Sequence, residues 1–176
     1  TDRVNVRLTP FSGGSRVIQE GLISRRGMLI LSALLFAGAF AAGIGLSWSI
    51  RPGIVVLGLL GFLGGWLYSV KPVSLMSRGF GEITIFLVFG PILTLGTFYV
   101  MSGELTWLAF ALGIPPGFLI AAVIWINQFP DFEADQATGK RNLVVRLGVR
   151  RSRWIYASLM VLPFLTVLFM VFAGYF

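Results

Sequence analysis

The chain has 176 residues, of which 56% are hydrophobic and 12% charged, and its mean hydropathy of +0.87 excludes a soluble globule and makes lipid the solvent. It contains no cysteine and no histidine, so disulfides, thiolate metal sites, the usual zinc ligands and the usual neutral-pH base are absent, and oxygen atoms remain as ligands for a metal. A net charge of +7 would suit nucleic acid, but the basic residues stand between long apolar runs, so they mark topology and anionic headgroups and no nucleic-acid partner is expected.

Five uncharged windows follow one another: Gly27–Ile50, Pro52–Val70, Ile83–Gly103, Leu105–Pro130 and Trp154–Phe176. Each reaches the roughly 20 residues that cross a bilayer as a helix. The expected fold is an all-α, multi-pass transmembrane helical bundle in one domain, with spans at about 27–50, 52–70, 83–103, 105–129 and 154–176. Alternating direction puts the segments before the first span, between the second and third, and between the fourth and fifth on one face. That face then holds all fourteen Lys and Arg residues except Arg51, and the positive-inside rule makes it cytoplasmic. Trp48, Trp66, Tyr68, Trp107, Trp125 and Trp154 fall near span ends, as an interfacial belt would.

In chain order, the first segment carries five arginines and the turn Ser12-Gly13-Gly14-Ser15 ahead of Arg16. Glycines let backbone approach a ligand closely and arginine suits bidentate phosphate contact, which singles out Arg16 among topology determinants. In the second span, Gly61-x-x-x-Gly65 would allow close helix packing. The span ends at Tyr68 and Lys71, where Pro72 stops the helix; on residue type alone these are a belt tyrosine and a snorkelling lysine. Glu82 opens the third span, where an acid reaches headgroups or favours a helix N-terminus. Pro115 and Pro116 should kink or break the fourth span.

The stretch from Asn127 to Gly148, NQFPDFEADQATGKRNLVVRLG, gathers Asp131, Glu133 and Asp135 with Lys140, Arg141 and Arg146. A short helix opened by Pro130 would place Asp131 and Asp135 at i, i+4 on one face, where like charges repel. A hard divalent cation such as Mg²⁺ relieves that repulsion, taking one or two carboxylates and completing its shell with water and phosphate oxygens. Asn127 lies one turn ahead of Asp131 and could join that shell, and Lys140 and Arg141 could meet a phosphate. Spacing alone leaves a solvated polar loop equally open.

The whole string resembles the second aspartate-rich motif of the UbiA superfamily of intramembrane prenyltransferases, through Asp131, Asp135, Gly139, Lys140, Arg141 and Arg146. The Gly-Gly-x-Arg stretch at Arg16 and the Tyr, Pro and Arg-Gly-x-Gly-Glu sequence from Tyr68 to Glu82 are similar to the branch that prenylates 1,4-dihydroxy-2-naphthoate in menaquinone synthesis. The resemblance implies Mg²⁺ on Asp131 and Asp135, with Asp2 as the last acid of a first motif that is otherwise missing. It implies an isoprenyl diphosphate bound by Arg16, Arg78, Asn127, Lys140 and Arg141, and an aromatic acceptor. Tyr68 and Lys71 match the family's catalytic Tyr-x-x-x-Lys pair, although the lysine comes three residues after the tyrosine here, so Arg78 could take its place. It further implies a nine-span fold of which five are present, and a bacterial or archaeal plasma membrane with the active-site loops in the cytoplasm. The rival acceptors are a benzoate, homogentisate, haem, chlorophyllide or glycerol phosphate. A transporter is the rival from another class, disfavoured because every motif gathers on one face rather than at the membrane midplane.

Overall fold

A computed structural model describes residues 16–175, and every regular element among them is helical. Helix α1 (Arg25–Ser49) starts at Ser24, whose hydroxyl accepts the Gly27 N–H at 3.0 Å, an N-cap in the usual sense. Helix α2 (Ile54–Ser69) follows, then a single 3₁₀ turn at Leu75–Ser77. The next long helix is continuous in path but not in winding: α3 (Gly81–Leu87), a π-helical turn at Val88–Ile92 and α4 (Leu93–Ser102). The π turn falls at Pro91, whose missing N–H and ring disturb the α-helical ladder at that point. Helices α5 (Trp107–Leu112) and α6 (Ile114–Asn127) divide at Gly113, with Pro115 and Pro116 in the first turn of α6. Proline there needs no N–H partner, so the expected break takes the form of a fresh helix start. The short helices α7 (Phe132–Ala137) and α8 (Leu143–Leu147) form the polar motif, and α9 (Val149–Phe172) closes the described chain.

Among the described residues, four helical runs are long and apolar enough to cross a membrane: Arg25–Ser49, Gly81–Ser102, Trp107–Asn127 and Val149–Phe172. Ile54–Ser69 is apolar but shorter. The centre of the bundle is α6, which packs most extensively against α9 and against the helix carrying α3 and the π turn. Its buried residues are small or flat ones, Pro115, Gly117, Ala121, Ala122 and Trp125. At the periphery, α1 buries no residue and packs on α2 through edge-on contacts of Phe62 with Phe36 and Phe40.

The close helix crossing is not where the glycine spacing placed it. A Cβ at Gly61 or Gly65 would meet nothing within 4 Å, whereas one at Gly90 would lie 2.5 Å from the Gly113 carbonyl oxygen and 2.6 Å from the Gly117 Cα. The tight contact therefore joins the π turn to the start of α6. Gly61-x-x-x-Gly65 reads as a packing motif in sequence, but α2 approaches the next helix through Gly64, opposite Val88. Trp125 also departs from the belt: it is buried and its indole N–H donates to the Ser152 carbonyl at 3.0 Å, fastening α6 to the first turn of α9. Gly90→Ala should lower stability by about 1–3 kcal/mol, because the added methyl meets backbone that cannot swing aside. Gly61→Ala should leave stability unchanged or raise it by up to ~1 kcal/mol. Unfolding of both variants in detergent checks the contrast.

Candidate active site

Two polar loops meet at one end of the bundle: residues 70–80, after α2, and residues 128–142, after α6. The first element of the junction is Asp135. Its carboxylate is fully buried; Oδ2 accepts from Asn142 Nδ2 at 2.7 Å and pairs with Lys140 Nζ at 3.0 Å. Asn142 is equally buried, and its Oδ1 accepts the Val145 N–H at 2.8 Å, so one side chain holds the aspartate and caps α8. Asparagine just before the apolar run LVVRL is an N-cap signature that could have been read in the sequence.

The second element is Glu82, which the sequence placed at a lipid-water boundary and the structure buries to 4% exposure. Its Oε1 accepts from Gln128 Nε2 at 2.8 Å and from the Leu143 N–H at 3.3 Å. Glu82 thus ties the start of α3 to the end of α6 and the start of α8. It does not reach headgroups, but it does stand in the first turn of α3, the helix N-terminus that the sequence also allowed.

The third element is Arg146, whose Nε donates to the Arg141 carbonyl at 2.8 Å and whose Nη2 donates to the Arg78 carbonyl at 2.7 Å. The Arg141 N–H donates in turn to the Ser77 carbonyl at 2.9 Å. Gly79, at φ +80°, lies under this clamp, where a Cβ would sit 3.1 Å from Arg146 Nε. A side chain at that position would meet both a left-handed backbone and the guanidinium.

The residues singled out from sequence distribute around this junction. Arg78 is exposed and donates to the Pro72 carbonyl at 2.7 Å; Lys71 and Arg141 are also exposed. Tyr68 is half-buried, with its ring edge packed at Gly81. Asn127, Gln128 and Asp131 are half-buried at the end of α6 and the start of α7. Arg16 lines a cavity of about 880 Å³ whose described lining comes from residues 16–25, with no residue of the other two loops. Asp2 lies outside the described residues.

The structure changes the argument for a cation at Asp135. The i, i+4 spacing called for one between the carboxylates, and Lys140 supplies a positive charge directly to Asp135. No group of three or more acidic side chains converges among the described residues. Room for Mg²⁺ remains in the donor set: Asp135 Oδ1 is buried with no hydrogen-bond partner, and Asp131 stands one turn earlier on the same helix. One free carboxylate oxygen and a neighbouring aspartate match a metal that takes one or two protein carboxylates and fills its shell with water and phosphate.

Glu82→Leu should destabilise the protein by about 1–3 kcal/mol, because it leaves Gln128 Nε2 and the Leu143 N–H unpaired. Glu82→Gln, which keeps a carbonyl oxygen in place, should cost less. Hydrogen exchange across residues 141–147 should accelerate in Glu82→Leu and stay near the parent rate in Glu82→Gln.

A comparison with known families matches residues 13–176 to the UbiA prenyltransferase family. Among curated proteins, the 1,4-dihydroxy-2-naphthoate octaprenyltransferase of Mycobacterium leprae is 30% identical over 91% of this chain and 55% of its own length. The enzyme of the same name from Mycobacterium tuberculosis is 31% identical over 84% of this chain and 51% of its own. The UbiA prenyltransferase domain-containing protein 1 of Dictyostelium discoideum is 37% identical over 60% of this chain and 32% of its own. The chain spans about half the length of these two mycobacterial relatives. No solved structure matches. The matched region takes in both loops of the junction and all of the described helices, and the chain belongs to the UbiA prenyltransferase family.

Proposed function

We propose that the protein transfers a polyprenyl group from an isoprenyl diphosphate to an aromatic acceptor, 1,4-dihydroxy-2-naphthoate, in menaquinone biosynthesis, with Mg²⁺ at the junction of the two loops. The observation that carries this reading is that relatives aligned over most of the chain bear the name 1,4-dihydroxy-2-naphthoate octaprenyltransferase. The loop geometry supports it, because the acids and bases that diphosphate handling needs are brought together from segments far apart in sequence.

Asp131 and Asp135 would hold Mg²⁺, which when bound would neutralise charge on a diphosphate leaving group. Lys140 is held against Asp135, so its ammonium is positioned before a ligand arrives and needs no reordering to meet a phosphate oxygen. Arg78 and Arg141 flank it from the two joined loops and offer planar donors suited to phosphate. Asn127, Tyr68 and Lys71 border the same loops, and Arg16 lines the cavity of its own segment. Once the allylic carbon–oxygen bond breaks, the electron-rich ring attacks the carbocation, and loss of the acceptor's carboxylate as CO₂ restores aromaticity. The loops would lie in the cytoplasm, on the basic face of the membrane.

The structure determines which substitutions test this cleanly. Asp135 is buried between Lys140 and Asn142, so Asp135→Ala would remove its charge and its packing together. Asp135→Asn keeps the shape, and half-buried Asp131→Ala disturbs less. In the full-length protein, both should lose at least about 100-fold in prenyl transfer, in keeping with lost stabilisation of the leaving group; Asp131→Ala should do so at a near-parent melting temperature, whereas Asp135→Asn leaves Lys140 without its counter-charge and should lower it. A near-parent rate at saturating Mg²⁺ in either would refute the assignment. A panel of acceptors run with the parent identifies the ring.

Sidedness is tested separately. Thr138 is exposed on the motif loop, and Thr138→Cys in this cysteine-free chain should react with an impermeant thiol reagent only after the membrane is opened. Labelling in intact cells would place the loop outside.

A further inference from the structure

Helix α9 begins with Val149-Arg150-Arg151-Ser152-Arg153-Trp154, and no acidic residue occupies its first turn. Ser152 is fully buried against α6, while Arg150, Arg151, Arg153 and Trp154 are all exposed. At 100° per residue, Arg150 and Trp154 lie nearly opposite Ser152, and Arg151 and Arg153 flank them. The three guanidiniums therefore point away from the bundle and from the Asp135 junction. Cations at a helix N-terminus are disfavoured by the helix dipole, and three in one turn need an external source of negative charge.

Below them the same face of α9 is apolar and uncovered. Val161, Leu165, Leu168 and Phe172 continue the line of Trp154 along the helix, and each is about half exposed or more. The opposite line runs through Ser152, Pro163 and Met170 and is buried. The Arg153 guanidinium rests over the Trp154 ring at 5.3 Å, holding a cation at the level of an aromatic that favours the membrane interface. A cationic head above a broad, exposed apolar helix face that includes the line of Trp154 is the complement of an anionic amphiphile with its charge at the interface and its chains along the helix.

We propose that Arg150, Arg151, Arg153 and Trp154, with the apolar stripe below them, form a site for an anionic phospholipid, selected over zwitterionic lipid by the three arginines. The site is separate from the proposed diphosphate-binding loops and does not depend on their assignment. Each arginine engaged should favour the anionic lipid about fivefold at low salt, and the preference should fall as ionic strength rises.

The test uses the intact protein reconstituted in phosphatidylcholine vesicles that contain equal mole fractions of brominated phosphatidylglycerol or brominated phosphatidylcholine. The Trp154 contribution to fluorescence is the difference between parent and Trp154→Phe. The expected result is at least about twofold greater quenching of that contribution by the brominated anionic lipid, a conservative floor on the fivefold-per-arginine preference. The excess should be lost in the Arg150→Gln/Arg151→Gln/Arg153→Gln variant. Should that variant fail to insert, Arg150→Gln alone and a salt titration of the parent read the same dependence. Equal quenching of the parent by the two lipids would overturn the proposal, as would an excess that survives the substitutions or high salt. Absence of quenching by either lipid would show this face covered by protein, and would overturn it too.

Discussion

The buried charge of Asp135 is the constraint from which the polar end of the bundle follows. Taking a carboxylate out of water costs several kcal/mol unless it is paired and hydrogen-bonded, and Asp135 is fully buried in a chain that offers few polar partners. Lys140 and Asn142 meet that demand from seven residues or fewer away, so the loop must fold back on itself. Asn142 then fixes the start of α8, and α8 carries Arg146 to the carbonyls of Arg78 and Arg141. One local charge thereby sets the position of a loop distant in sequence.

The same end of the bundle is also held from the membrane side. Glu82 ties α3 to Gln128 and Leu143, and Trp125 ties α6 to Ser152. These bonds reach between helices whose contact otherwise rests on small residues, with Gly90, Gly113 and Gly117 letting backbone approach backbone. Where lipid is as apolar as leucine, close packing and a few interhelical hydrogen bonds provide the association that the hydrophobic effect does not. The polar loops consequently rest on a rigid base formed by α3, α6 and α9, while α1 stands apart from it.

That arrangement suits phosphate chemistry. Cations held in place by carbonyls and carboxylates before a ligand arrives stabilise developing charge without reorganising, and Lys140 and Arg146 are both held so. Asp135 keeps one oxygen without a partner, which leaves the acid able to serve a metal as well as its lysine.

The sequence by itself determined the class of the fold and singled out the polar motif. Long uncharged windows can satisfy their backbone in lipid only as helices, and the concentration of acids and bases between Asn127 and Gly148 marked the motif without any structure. Helix starts at Pro115 and Asn142 rest on local rules of the same kind. What only the tertiary structure decided depends on partners that spacing cannot specify. Whether a glycine makes a helix contact depends on what lies opposite, which is why Gly90 and Gly64 pack closely and Gly61 and Gly65 do not. Whether an acid or an indole at a span end faces water or another helix depends on the rotation of that helix in the bundle, which buried Glu82 and Trp125. And the neutralising charge at Asp135 comes from Lys140 because the loop turns back at Gly139, a left-handed residue at φ +74°, a contact that an i, i+4 rule along one helix does not contain.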